Sequence, residues 1–254
     1  MKFTAIVLAG SRPGRDAFAE QYGTDLKALI PIGGEPMVRR PVRALLTSKH
    51  VGSVIVLSQA ADRIAAAIPV DDRVTVRTSK GTIAETILAL CADTETRWPL
   101  LITTADHALL DPVTIDAFCA AAARTDLAVG VVERGQLMQR LPNSRRTWLK
   151  FRGGAYTGAN LFALRSPAVG PAIALWRSVE QDRKKGWRLV AQLGPFTLAG
   201  AALRLLSIDA VLKRLGRRLG ISVAAVRLSN PLAGVDVDKP EDHQLVSAIL
   251  EGQA

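Results

Sequence analysis

The chain is poor in several things, and each shortage excludes something. Cys91 and Cys119 are the only cysteines among 254 residues. Two is too few for a disulfide scaffold, and neither belongs to a zinc-ligand spacing. Both fall in alanine-rich, helix-like stretches, where a small buried thiol is the ordinary role. Aromatic residues amount to 5% of the chain and no RNA- or DNA-reading motif occurs, so stacking on nucleic acid bases is poorly supported. No uninterrupted apolar stretch reaches the length of a membrane span. The opening MKFTAIVLAG resembles a signal peptide only superficially: its apolar run is short, and Ser11-Arg12-Pro13-Gly14 follows without a cleavage site. Together these shortages favour the cytoplasm. Acidic residues are scarce over one long stretch. Between Arg134 and Arg218 there are 17 Lys and Arg against Glu180, Asp182 and Asp209, while the remainder of the chain is net acidic. Such a block attracts phosphates, nucleic acid or an anionic membrane surface, or serves only as a solvated basic face.

What is present is a full complement of core. Hydrophobic residues make up 48% of the chain, which excludes global disorder. Compact apolar runs of strand length occur at Phe3–Leu8, Ser53–Leu57, Arg73–Val76, Leu100–Thr103 and Leu127–Val132. Helical patterns lie between them, at about Pro36–Ser48, Ala60–Ile68, from Thr82 through Leu90, and at Pro112–Ala122. Pro36 suits a first helical turn, where its missing N–H is not needed. Strands alternating with helices predict a three-layer α/β/α, Rossmann-like fold around a mostly parallel mixed sheet. The middle differs: two extended segments, Trp148–Phe151 and Asn160–Leu164, flank a turn at Gly153-Gly154. Helical patterns follow from Ala168 to Val179 and across Gly186 to Leu219. A last strand is expected at Ile221–Leu228 and a last helix from Pro240. With no repeat or linker, the chain reads as a single domain over 1–254 with a basic, helix-rich insertion or subdomain at about 134–220.

Ligands of such sheets bind beyond the carboxyl ends of the strands. Gly10 and Asp106 each follow a predicted strand and share that edge. Leu8-Ala9-Gly10-Ser11-Arg12-Pro13-Gly14-Arg15 gives a backbone that can approach a nucleotide closely, and Arg12, Arg15 and Lys27 can neutralise a triphosphate. The loop matches neither G-x-x-x-x-G-K-S/T nor G-x-G-x-x-G. In Thr103-Thr104-Ala105-Asp106-His107, a carboxylate directly after a buried strand is costly to desolvate unless it meets a cation or donors. His107 is read as a local structural histidine. In Val235-Asp236-Val237-Asp238-Lys239-Pro240-Glu241-Asp242, alternation puts Asp236 and Asp238 on one side, where two carboxylates repel unless a cation intervenes. Glu241 and Asp242 fall in a helical first turn, and the helix dipole alone accounts for them.

The opening, with Lys27-Ala28-Leu29-Ile30-Pro31-Ile32-Gly33-Gly34-Glu35-Pro36-Met37 downstream, resembles the sugar-phosphate and molybdenum-cofactor nucleotidyltransferases. These belong to the glycosyltransferase-A-like, nucleotide-diphospho-sugar transferase superfamily. Ser11 stands where that family has a second glycine, the arginine-methionine-glycine step is absent, and the spacing to Lys27 is longer. The segment at Asp236–Asp242 resembles the family's Asp-x-Asp-x-Pro-Glu-Asp signature. The resemblance covers roughly residues 3–132 and 221–250. It implies Mg²⁺ held by Asp106 and Asp238 with Asp236 in support, and Lys27 on the triphosphate. It also implies a nucleotide cradle from Leu8, Ala9, Gly10, Ser11, Arg12, Arg15, Lys27, Gly81 and Thr82. Tyr156, Thr157, Gly158 and Asn160 resemble its acceptor-side elements, and Lys150 of the basic block suits an acceptor phosphate. Thr82 also reads as a plain helix cap.

The implied reaction transfers NMP from CTP or GTP to a phosphorylated small molecule, a sugar, polyol, alcohol or lipid head-group precursor, releasing pyrophosphate. No nucleic acid partner is expected. Peripheral membrane association through the basic segment is the alternative to an ordinary helical subdomain. Two rival functions differ in class. A glycosyltransferase of the same superfamily would place Asp-x-Asp directly after a core strand, where this chain has Ala105-Asp106-His107-Ala108. A non-catalytic phosphate- or nucleic-acid-binding protein rests on charge alone.

Overall fold

The computed structural model describes residues 2–11, 14–79, 81–93, 95–180 and 194–253. Strand β1 (Phe3–Leu8) is buried almost throughout, as a sequence apolar at every position but Thr4 requires. A long loop carrying the short helix α1 (Ala17–Glu20) leads to a 3-10 turn at Lys27–Leu29 and the hairpin β2 (Pro31–Ile32), β3 (Glu35–Pro36). Helix α2 spans Arg39–Thr47, followed by β4 (Val51–Ser58), α3 (Ala61–Ala67), β5 (Val74–Thr78), α4 (Ile83–Ala92), β6 (Leu100–Thr104), α5 (Pro112–Ala122) and β7 (Leu127–Glu133). The middle of the chain forms α6 (Arg134–Arg140), β8 (Leu149–Phe151), β9 (Gly154–Leu164) and α7 (Gly170–Glu180), the last entered through a 3-10 turn at Pro167–Val169. Helices α8 (Pro195–Ala202) and α9 (Ile208–Leu219), strand β10 (Val223–Arg227), a 3-10 turn at Pro231–Gly234 and α10 (Pro240–Leu250) complete the described chain.

Eight of the described strands form one sheet in the order β10-β7-β9-β6-β1-β4-β5, with β8 paired to β9, and β2 and β3 form a separate two-stranded sheet. β1 runs parallel to β4 and β6, β4 to β5, and β7 to β10. β9 alone among the sheet's main path is antiparallel to its neighbours, β6 and β7. The mixed, mostly parallel Rossmann-like sheet is therefore as expected. Alternate residues of β1 serve opposite layers: Ala5 and Val7 join one core cluster, and Ile6 joins the other with Leu57, Ile87 and Ile102. Among the described residues no helix is long and apolar enough to cross a membrane.

One expectation needs correction. Pro36 does not open a helix. Gly33 and Gly34 both adopt positive φ, 57° and 79°, the combination that a two-residue hairpin turn demands. They reverse the chain so that Pro31 pairs with Pro36. The next N–H groups then bond backward, Met37 N to Ile30 O and Val38 N to Ala28 O, and the helix starts only at Arg39. The stretch 134–220 combines helices with strands β8 and β9. Its β9 lies inside the main sheet between β6 and β7, while the helical pattern from Gly186 to Leu219 includes two helices separated by a turn around Arg204. Residues 186–193 of that pattern, the basic run Arg183-Lys184-Lys185-Gly186-Trp187-Arg188, and also Arg12 and Lys80, lie outside the described residues.

Candidate active site

Three elements far apart in sequence meet at the carboxyl edge of the sheet. Asp106 comes two residues after β6. Lys27 opens the 3-10 turn that follows the long β1 loop. Asp238 lies in the extended segment leading into α10. The Lys27 Nζ is 2.5 Å from Asp106 Oδ2 and 2.5 Å from Asp238 Oδ1, so one ammonium bridges two carboxylates. Lys27 and Asp106 are mostly shielded, at 22% and 17% side-chain exposure, whereas Asp238 is 61% exposed. Burial alone would lower the Lys27 pKa. The Asp106 carboxylate, by charge and hydrogen bond, and then Asp238 outweigh it and hold Lys27 above its ordinary value, firmly protonated. Thr104 Oγ1 donates to Asp106 Oδ1 at 2.5 Å, which fixes the rotamer of the carboxylate. The Val237 N–H donates to the Asp106 backbone carbonyl at 3.1 Å and ties the two aspartate loops together.

The glycine loop borders this cluster. Ala9 N bonds to Leu57 O, and Ser11 N donates to Gln59 Oε1 at 3.1 Å. A Cβ on Gly10 would stand 2.9 Å from that same Oε1, so the glycine makes room for Gln59, and Gln59 holds the loop backbone. Gln59 is a residue that sequence reasoning missed. Its only sequence signal is a position just past the end of a buried strand that neighbours β1. Arg15 is 87% exposed and forms a bidentate pair with Glu20. Gly81 has a positive φ of 84° and precedes Thr82, the N-cap of α4. Thr82 and Glu85 form a reciprocal capping box, so the cap is real, and its loop faces the same edge.

The acceptor-side candidates separate. Asn160 adopts φ 46° where the β7–β9 register shifts, and its Nδ2 donates to Asp236 Oδ2 at 3.1 Å. Asp236 also meets Arg146 Nη1, and burial raises the Asp236 pKa, with Arg146 opposing that and the Asp238 and Asp106 charges adding to it. Tyr156 is buried with Val131 and Ile208, beneath the Arg227 guanidinium. Thr157 is buried beside Gly234, where a Cβ would stand 3.1 Å from its Cγ2. Gly158 and Lys150 are exposed, Lys150 opposite Ala155 on the β8–β9 hairpin. Asp242, read from sequence as a helix-dipole acid, also bonds Arg146 and the Asp238 N–H. Arg146 was visible only as one cation in a basic block.

His107 is fully buried. Its Nδ1 lies 3.1 Å from Thr103 Oγ1, and its Nε2 has no well-formed hydrogen-bond partner among the described residues. Burial pushes its pKa from 6.5 down to about 4, so it is a neutral core side chain, in keeping with a structural role. The donor chemistry around Lys27 fits Mg²⁺: two carboxylates from separate loops, one shielded and one open, are the hard oxygen ligands this ion takes when phosphates and water complete its shell. Among the described residues no group of three or more His, Cys, Asp or Glu gathers as an all-protein metal cage.

Residues 5–196 match the family described as the MobA-like NTP transferase domain. A solved structure from Thermus thermophilus, described as a hypothetical transferase, is 29% identical, covers 96% of this chain and 100% of its own, and has a TM-score of 0.80. Two more distant structures share the fold. The 4-diphosphocytidyl-2C-methyl-D-erythritol synthase of Anaerococcus prevotii is 10% identical over 98% of this chain and 96% of its own, with a TM-score of 0.60. CMP:2-keto-3-deoxy-manno-octonic acid synthetase, solved with CTP, is 12% identical over 100% of both chains, with a TM-score of 0.61. None of the curated proteins matches significantly in sequence.

Proposed function

The chain belongs to the MobA-like NTP transferase family, and from that premise we propose that it transfers the nucleoside monophosphate of CTP or GTP to a phosphorylated small molecule in the cytoplasm. The acceptor class is a sugar, polyol, alcohol or lipid head-group precursor. A lipid head-group precursor would go with peripheral membrane contact through the basic stretch from Arg134 to Arg218. The observation that carries the reading is the convergence of Lys27 on Asp106 and Asp238 beside the glycine loop after β1.

In this reaction an acceptor phosphate oxygen forms a bond to the α-phosphorus, and the bond from that phosphorus to the oxygen bridging to the β-phosphate breaks. Pyrophosphate leaves with the electron pair. An acceptor phosphate is already ionised at neutral pH, so the protein need not remove a proton. Its work is alignment and charge neutralisation. Lys27, kept protonated by its two carboxylates, offsets charge on the triphosphate. The backbone from Leu8 to Ser11, held by Gln59, receives the nucleotide, and the Gly81-Thr82 turn lies within the same edge. Mg²⁺, held by Asp106 and Asp238, would supply the remaining neutralisation of the triphosphate. The Asp-x-Asp-x-Pro-Glu-Asp-like signature and the cytidylyl chemistry named for two fold neighbours favour CTP, and the likeness to cofactor guanylyltransferases favours GTP.

The test is a thermal-shift panel of the four NTPs with Mg²⁺, followed by pyrophosphate release across phosphorylated sugars, polyols and alcohols. One NTP should raise the melting temperature and support release with one acceptor class. Absence of release with every pair, together with turnover of a nucleotide sugar, would replace this reading by glycosyl transfer.

A further inference from the structure

The segment Asp236-Val237-Asp238 is tied down at each of its three residues, and the ties at Asp236 and Asp238 converge on one arginine. The Arg146 guanidinium is 13% exposed. Its Nη1 meets Asp236 Oδ1, and its Nη2 donates to the Asp236 backbone carbonyl at 2.8 Å and to Asp242 Oδ1 at 3.2 Å. Asn160 Nδ2 takes the other Asp236 oxygen, Oδ2, at 3.1 Å. Asp242 passes the connection onward, because its Oδ2 accepts the Asp238 N–H at 3.2 Å. Between them, the Val237 N–H is bound to the Asp106 carbonyl.

Two consequences follow. Both carboxylate oxygens of Asp236 already accept from donors of this chain, and turning Oδ1 toward a metal would cost the shielded Arg146 guanidinium one of its two carboxylate partners. Asp238 has the opposite character. Its side chain is 61% exposed and pairs with Lys27, so packing contributes little to its placement, and the course of the backbone beneath it sets how it faces Asp106 across the Lys27 ammonium. A planar fork that reaches a side chain, a main-chain carbonyl and a second carboxylate is what arginine supplies and lysine does not.

We propose that Arg146 is a positioning residue: with Asn160 and Asp242 it clamps Asp236, and through that clamp it sets Asp238 opposite Asp106. Asp236 is then the internal counter-ion of the clamp and not a metal ligand. This rests on the reading of Asp106 and Asp238 as the metal-holding pair.

Three measurements on the intact chain test it. The first is Mn²⁺ binding in the presence of a non-hydrolysable NTP analogue. Asp238→Asn should weaken Mn²⁺ by at least about a hundredfold. Asp236→Asn, which keeps an acceptor oxygen for Arg146, should weaken it by less than about tenfold. The second is kinetic: Arg146→Lys should lower kcat by about thirtyfold while the KM for the NTP stays within about threefold, the split expected when alignment and not ground-state binding is lost. The third is melting without metal or nucleotide. Arg146→Met should lower the melting temperature, and adding Asp236→Asn should restore at least about half of the loss, because the stranded charge is gone. An Asp236→Asn variant as deficient in Mn²⁺ as Asp238→Asn makes Asp236 a ligand and overturns the proposal. So does a double variant no more stable than Arg146→Met, or an Arg146→Lys variant with unchanged kcat. If the wild-type protein binds no Mn²⁺ with any NTP analogue, the nucleotidyl-transfer reading fails, while the melting arm still decides whether the clamp exists.

Discussion

The nucleotide side and the acceptor side of the site share one sheet but are built differently. On the nucleotide side each candidate group follows closely on a local structural event. Gly10 comes two residues after β1, Asp106 two residues after β6, and Lys27 opens a short turn. Thr104 supports Asp106 from two residues away, although Gln59 holds the Ser11 N–H from 48 positions off and the carboxylates that hold Lys27 lie 79 and 211 positions off. On the acceptor side, β9 is antiparallel between β6 and β7, and its residues split between core packing, as with Tyr156 and Thr157, and a clamp on Asp236 whose partners are 76 and 90 positions away. Groups of the first kind announce their chemistry locally. Groups of the second kind take their role from a partner that only the folded chain supplies.

The contrast is sharpest in activity. Asp106→Asn keeps the volume and the Thr104 contact but removes the charge that faces Lys27. Turnover should fall by about a thousandfold or more, with a melting temperature within a few degrees of wild type. Pyrophosphate release and calorimetry on the same preparation check both halves. A variant with near-wild-type turnover in Mg²⁺ would remove Asp106 from the chemistry and with it the distinction between the two sides.

The nucleotide side also contains the buried titratable group. His107 has a folded pKa of about 4 against 6.5 when solvated. A depressed folded pKa means that the unfolded chain binds the proton first. The stability this group contributes is therefore complete above pH 6.5 and declines as pH falls toward 4. Between pH 7 and 5 the loss should be about 2 kcal/mol. Denaturant unfolding at the two pH values, in wild type and in His107→Gln, measures it as the difference in slope. Equal pH dependence in both proteins would mean that His107 is solvated in the folded state.

Much of the fold was legible before any coordinates. The run Phe3–Leu8 is apolar at every position but one and is buried on both faces, and the helices after β5 and β6 carry their own caps, Thr82 and Asp111. What stayed hidden was non-local. Nothing near Ser11 points to Gln59, 48 positions away. The proline that suits a first helical turn became a strand residue because Gly33-Gly34 folded the chain back on itself. Asp236 and Asp238 alternate on one side of an extended segment as expected, yet one is clamped and the other is open, because Arg146 reaches only the first. Alternation gives the side a residue faces, not the partner waiting there.

Thr82 allows the local type of support to be measured directly. Its hydroxyl accepts from Glu85 N, and Glu85 returns a bond to Thr82 N, so Thr82→Ala should cost about 1 kcal/mol of unfolding free energy. If the Gly81-Thr82 turn meets the nucleobase through its backbone, the KM for the NTP should stay within about threefold once the temperature is low enough to keep the variant folded. A larger rise in KM without the stability loss would mean that the hydroxyl serves the nucleotide and not the helix.

Lys150 should give the smallest structural effect and the most selective functional one. It is exposed on β8 opposite Ala155, and an exposed lysine away from caps and clamps contributes little to folding. Lys150→Ala should leave the melting temperature within about 2 °C. If the hairpin meets the acceptor phosphate, the KM for the acceptor should rise several-fold, about what one exposed charge contributes, and the KM for the NTP should not move. Parallel rises in both would place Lys150 on the triphosphate and erase the division between the two sides. No change in either would shift acceptor recognition off the hairpin, leaving the exposed cations at the entrance to α10, Arg145 and Lys239, as the next groups to substitute.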